Sequence, residues 1–138
     1  MIFDLLENLN WLAVAVATVA WYVYSAIFYA GPVAGKAWQK AAKISMTEGY
    51  RPPPSIFIIT LVAYFVTTTV IAMIAAAVGA SDAVDGIALG VTLGVAFGAM
   101  TGLVSQVYEQ KGSSYWLING IGAIISWSIV GVILALWD

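Results

Sequence analysis

The sequence predicts an all-α integral membrane protein: a bundle of four transmembrane helices with a short cytoplasmic interfacial helix between spans one and two. Three observations predict it. Of 138 residues, 62% are hydrophobic and 9% charged, with a mean hydropathy of +0.97, against about 45–50% apolar and about 25% charged in soluble domains. Four stretches carry no charged residue at all: Leu9–Gly35, Pro52–Ser81, Gly86–Tyr108 and Gly112–Trp137. The basic residues fall in alternate loops. Lys36, Lys40, Lys43 and Arg51 lie between the first and second stretches and Lys111 between the third and fourth, while the remaining connections carry only acids.

Trimmed, the stretches give spans of about 11–31, 55–78, 87–108 and 115–137 in a single membrane domain over 1–138. Each holds roughly the 20 residues that a helix rising 1.5 Å per residue needs to cross a hydrocarbon core about 30 Å thick. Buried helices of a soluble protein would explain one such run, not four. The segments also lack the period-two polar alternation of a membrane barrel. With every Lys and Arg on one side, the positive-inside rule places that side in the cytoplasm and both termini outside. A bacterial cytoplasmic membrane is the expected location. The acidic amino-terminal region and the length of the first apolar run argue against a cleaved signal peptide.

Span one carries a small-residue row, Ala13, Ala17 and Ser25, interrupted by Trp21. Pro32 suits the first turn of the next helix, expected over about 32–46. There Lys36, Lys40 and Lys43 follow i, i+4, i+7 spacing and share one face. Beside them lie Val33, Ala37, Trp38, Ala41 and Ile44, giving an amphipathic helix suited to an anionic leaflet, each lysine contributing about 1 kcal/mol. The plainer reading is that these lysines set topology and solvate the loop. Arg51-Pro52-Pro53-Pro54 makes a stiff lead-in to span two, with Ser55 as the candidate cap. Span two aligns Thr60, Tyr64, Thr68, Ala72 and Ala76 in one i+4 row facing the bundle interior.

Span three carries the strongest pattern. Gly86, Gly90, Gly94, Gly98 and Gly102 recur at every fourth position, a glycine zipper. Each glycine costs about 1 kcal/mol against alanine in a helix, so close packing must compensate. A bare strip lets another backbone approach for dispersion and Cα–H···O contacts. The opposite side, Ala88, Thr92 and Ala96, is also small, so span three can be sandwiched between two neighbours. One arrangement places a sister subunit against it and makes the protein a homo-oligomer; the other keeps both neighbours within one chain. Span four aligns Asn119, Ala123, Trp127, Gly131 and Ala135, with Ser126 and Ser128 beside them. Asn119 is placed to bond across helices, worth about 1 kcal/mol; contact with a ligand or ion is the other reading.

The missing chemistry is equally informative. There is no Cys and no His, which removes disulfides, thiolate nucleophiles, imidazole bases and the usual zinc, copper and haem ligands. No ionisable Asp, Glu, Lys, Arg or His lies within a trimmed span, where coupled transporters place one. The formal charge of −2 does not fit a nucleic-acid partner. Asp82 and Asp85 lack the further oxygen ligands of a calcium loop and are expected to cap span three. Ser113 and Ser114 have no neighbouring base and read as a turn and cap for span four. No catalytic residues, cofactor or metal are expected.

Asn10-Trp11-Leu12-Ala13-Val14, then Phe28-Tyr29-Ala30-Gly31-Pro32 and Gly35-Lys36-Ala37-Trp38, form the most distinctive strings, with Trp116-Leu117-Ile118-Asn119 opening span four. Together they resemble the signature of a bacterial and fungal membrane family catalogued as domain of unknown function 1761, with Phe28-Tyr29 where Trp-Tyr is common. The resemblance covers essentially the full length. It implies a four-span architecture and makes Asn10, Trp11, Tyr29, Pro32, Gly35, Lys36, Trp38 and Asn119 candidates for a hinge around the first cytoplasmic turn; it implies no activity. The function expected is that of a self-associating structural, lipid-interacting or accessory subunit, with membrane lipid, further copies and a larger membrane assembly as partners. The alternative is a passive channel or uniporter whose polar path would run along Thr60, Tyr64, Thr68, Asn119 and Ser126.

Overall fold

Helix dominates the computed structural model, which describes residues 1–42 and 53–137. Lys43, the end of the expected 32–46 helix and the Arg51-Pro52 part of the lead-in lie outside the described residues. Four helical segments are long and apolar enough to cross a membrane: Trp11–Phe28, Pro54–Val78, Ala83–Glu109 and Ser113–Leu136.

A six-residue helix, α1 (Ile2–Glu7), precedes the first of them where sequence reading expects only a tail. α2 (Trp11–Phe28) starts at Asn10, whose Oδ1 accepts from the Ala13 amide at 3.1 Å. It stops short of residue 31 because the chain turns there. The Ala30 carbonyl accepts from the amides of Val33 at 3.1 Å and Gly35 at 2.9 Å, making a π turn over Gly31–Gly35. A methyl group on Gly35 would collide with the Tyr29 carbonyl oxygen and lie 2.7 Å from that of Ala30. The turn delivers α3 (Lys36–Ala42), a helix within the expected 32–46 stretch that starts at residue 36 rather than 32.

α4 (Pro54–Val78) begins at Pro54, which suits a first turn because proline has no amide to leave unpaired. The expected Ser55 cap is therefore displaced: the flanking residue is Pro53, and no side chain caps the helix. Gly79 ends α4 at φ 72°, and the Ala80 amide reaches back to the Ala75 carbonyl at 3.0 Å. Asp82 and Asp85 cap the next rod reciprocally. Asp82 Oδ1 accepts from the Asp85 amide at 2.8 Å and Asp85 Oδ2 from the Ser81 amide at 3.1 Å. That rod runs through α5 (Ala83–Leu93), a π turn over Gly94–Ala99 and α6 (Met100–Glu109). α7 (Ser113–Leu136) follows Gly112 without a side-chain cap, so Ser113 and Ser114 do not act as the expected cap.

α7 is the hub, packing against α2, α3, α4, α5 and α6. α2, α4 and α7 form a three-sided core, and the α5–α6 rod lies chiefly along α7. Ala17, Trp21, Ile71 and Val130 make its buried centre, with Tyr64, Leu89, Leu93 and Trp127 packed around them. Trp21 stacks on Tyr64 with centroids 4.0 Å apart and takes Trp127 edge-on at 6.2 Å. Leu12, Val19, Ile58, Ile59, Val62 and Val104 are among the large apolar side chains left on the outside, which is the inverse of a water-soluble surface and suits a bilayer as solvent.

Candidate functional site

The glycine strip meets α7 of the same chain. A methyl group on Gly86 would lie 2.6 Å from the Gly131 carbonyl oxygen, and one on Gly94 2.8 Å from Ile124 Cα. On Gly90 it would collide with the Trp127 carbonyl and with the Ser128 backbone, its amide nitrogen 2.5 Å away. Backbone faces backbone along this half of the seam. Further along, a methyl on Gly98 would stand 2.7 Å from Ala123 Cβ, whereas one on Gly102 would rest 3.8 Å from Trp116 Cδ1, an ordinary contact. The seam thus widens toward the lysine-bearing end, with side chains replacing backbone as the neighbour. The opposite small face, Ala88, Thr92 and Ala96, is exposed.

The residues of the expected polar path make different bonds. Tyr64 donates to Ser25 Oγ at 2.9 Å, tying α4 to α2. Tyr29 donates to Asn119 Oδ1 at 2.7 Å, tying the end of α2 to α7, while Asn119 Nδ2 returns to the Tyr115 carbonyl at 3.1 Å. Thr60 and Ser126 donate to carbonyls of their own helices, those of Ile56 at 2.8 Å and Ala123 at 3.0 Å. Thr68 is fully buried, and neither its hydroxyl nor the Trp127 indole N–H has a partner among the described residues.

Asn10, Tyr29, Trp38 and Asn119, four of the signature residues, act as end staples. At the acidic end, Asn10 caps α2 and its Nδ2 donates to the Trp137 carbonyl of α7 at 3.4 Å. At the basic end, Tyr29 packs edge-on against Trp38 of α3, 5.7 Å between centroids. Gly122, one turn beyond Asn119, makes room for this: a methyl there would stand 3.3 Å from the Tyr29 hydroxyl. Trp116 Nε1 donates to the Ala99 carbonyl, at the end of the π turn, at 2.6 Å. Sequence reading gave no contact to Ser25, Trp116 or Gly122. The aromatic and glycine residues were visible, but each acquires its role only from a neighbour far along the chain.

Of the three lysines proposed for lipid contact, Lys36 and Lys40 lie exposed on α3, and Lys43 lies outside the described residues. Lys111, assigned only to topology from the sequence, reaches across to α3. Its Nζ donates to the Ala42 carbonyl at 3.0 Å and lies 5.3 Å from the centre of the Tyr115 ring. Between α3 and the start of α7 this leaves a groove of about 610 Å³. Lys40, Ser114 and Tyr115 supply its polar groups, and Ala37, Ala41, Leu117 and Ile118 its apolar wall. A second cavity, about 210 Å³, lies at the acidic end among α2, α4, α7 and the link between α1 and α2, beside Asn8, Asn10 and Trp137. Among the described residues, no group of three or more Asp, Glu, His or Cys is arranged to hold a metal ion.

No curated protein and no solved structure matches the chain. The family described as "Protein of unknown function (DUF1761)" matches residues 12–135, from the first turn of α2 to the last of α7, and so takes in nearly all of the four long helices, the basic-end staple and the groove, while Asn10 and Trp137 of the acidic-end staple lie just outside it. The chain belongs to that family.

Proposed function

We propose that this chain is a non-catalytic, non-conducting membrane bundle that self-associates and serves as a structural, lipid-interacting or accessory subunit, held in a bacterial cytoplasmic membrane with its lysine-bearing end in the cytoplasm. The observation that carries the reading is the filled centre, where Trp21 of α2 packs against Tyr64 of α4 and Trp127 of α7. Two of the polar groups that a conduit would need, those of Tyr64 and Asn119, are spent on holding helices together, and those of Thr60 and Ser126 on carbonyls of their own helices. With the glycine strip committed to α7, self-association falls to other faces, of which Ala88, Thr92 and Ala96 offer the smoothest.

Purified protein in liposomes tests this. Efflux of small ions and neutral solutes should match that of empty vesicles, and light scattering of the detergent-solubilised protein should report more than one chain per particle. Solute flux proportional to protein content would replace the proposal with the conduit. One observation favours that second reading: Thr68 Oγ1 and Trp127 Nε1 are buried without partners among the described residues, and a chain of water could satisfy them. Orientation has its own test. Cysteines introduced at Ser81 and Ser113, at opposite ends of the α5–α6 rod and α7, should react with an impermeant maleimide from opposite sides of intact cells. Labelling from one side would break the four-span topology.

A further inference from the structure

We infer that the groove between α3 and the start of α7 seats one anionic phospholipid, its phosphate against Lys40 and Ser114 and an acyl chain against Leu117 and Ile118. The inference rests on the membrane-bundle reading and gives its lipid contact a place and a chemistry.

The groove combines polar and apolar residues, as an amphiphile requires. Lys40 on α3 and Ser114 on α7 line it together with Ala37, Ala41, Leu117 and Ile118. Its volume, about 610 Å³, exceeds what a solvated lysine alone calls for. Small side chains on α3 keep it open, since Ala37 and Ala41 lie one turn apart on that helix. Lys111, next to Gly112 of the lining, ties the end of α3 to the start of α7 by donating to the Ala42 carbonyl. Lys36 adds a further exposed cation on α3. Glu109, at the end of α6, is exposed and is not part of the lining. Among the described residues the local charge is therefore positive, complementary to a phosphodiester. The start of α7 has no side-chain cap, so the positive end of its dipole adds to the same field. A lipid is favoured over a soluble anion because half of the lining is apolar and leads down the outer face of α7, where Leu117 is exposed.

The test is retention of lipid by the full-length protein in native mass spectrometry, using phosphatidylglycerol and phosphatidylcholine with identical acyl chains. Phosphatidylglycerol should be retained preferentially. Lys40→Gln should lower its retention about fivefold, the equivalent of one lysine at an anionic surface, while Lys36→Gln, outside the lining, should have a smaller effect. Ala37→Trp should lower retention of both lipids by filling the groove without removing charge, with the thermal transition confirming that this variant folds. Equal retention of the two lipids, or equal loss from Lys36→Gln and Lys40→Gln, would overturn the seat in favour of diffuse attraction. Displacement of the lipid by millimolar inorganic phosphate would also overturn it, showing that a phosphate alone suffices. Solute flux in liposomes remains a separate readout, so failure of the non-conducting reading would be recognised independently.

Discussion

The two ends of the seam between the α5–α6 rod and α7 are built on opposite principles. Near the acidic end, Gly86, Gly90 and Gly94 bring backbone against backbone at Gly131, Ser128 and Ile124. Near the basic end, Trp116 fills the gap beside Gly102 and hydrogen-bonds to the Ala99 carbonyl. Beyond it, Tyr29, Trp38 and Asn119 hold the helices through side chains. A lipid-soluble helix pair gains nothing from expelling water, so docking relies on contact distance and on satisfied polar groups. One end uses the first resource and the other the second. The consequence is an acidic end of the seam closed backbone to backbone and a basic end spaced by side chains.

The sharpest way to break this contrast is Gly90→Leu, which drives a branched side chain into the backbone at Ser128. A loss of about 3 kcal/mol is expected, read as a large fall in the midpoint of denaturant unfolding in micelles. Gly102→Leu should cost far less, because its neighbour is a side-chain edge rather than a chain of fixed carbonyls. Equal losses would show that the seam is uniform after all. Next in size is the basic-end staple. Tyr29→Phe and Asn119→Ala, combined in a double-mutant cycle, should show a coupling of about 1 kcal/mol. Gly122→Ala should weaken the same coupling, since the added methyl would sit 3.0 Å from the Phe28 ring and 3.3 Å from the Tyr29 hydroxyl. Smallest, and opposite in sign, is Gly102→Ala. With 3.8 Å of clearance to Trp116, the gain in helix propensity should raise stability by about 0.5–1 kcal/mol.

The same contrast explains what could be read from the chain. Hydropathy is a local property, so four spans could be located from composition alone, and the capping role of Asp82 and Asp85 lay within a few residues of sequence. The glycine repeat announced close packing just as plainly. Its partner could not be read, because Gly131 and Ser128 are unremarkable in span four until they are brought opposite Gly86 and Gly90. Tyr29 and Asn119 were both singled out, yet nothing local joins residues 90 positions apart. The Ser55 and Ser113 caps failed for a different reason. Cap preference is worth about 1 kcal/mol, and Pro53-Pro54 and Gly112 set the chain direction before a serine can act. Lys111 was undervalued because its charge already had a topological use; its bond to Ala42 depends on where α3 comes to rest.

Because α7 holds the α5–α6 rod, most of the binding surface for the third span is made only after that span has left the ribosome. Until then the newly inserted rod faces hydrocarbon with a strip of uncovered peptide groups. Assembly of the finished fold therefore waits on the arrival of the fourth span, and a nascent chain stalled before it would leave its third segment open to capture by an insertase or a neighbouring polypeptide.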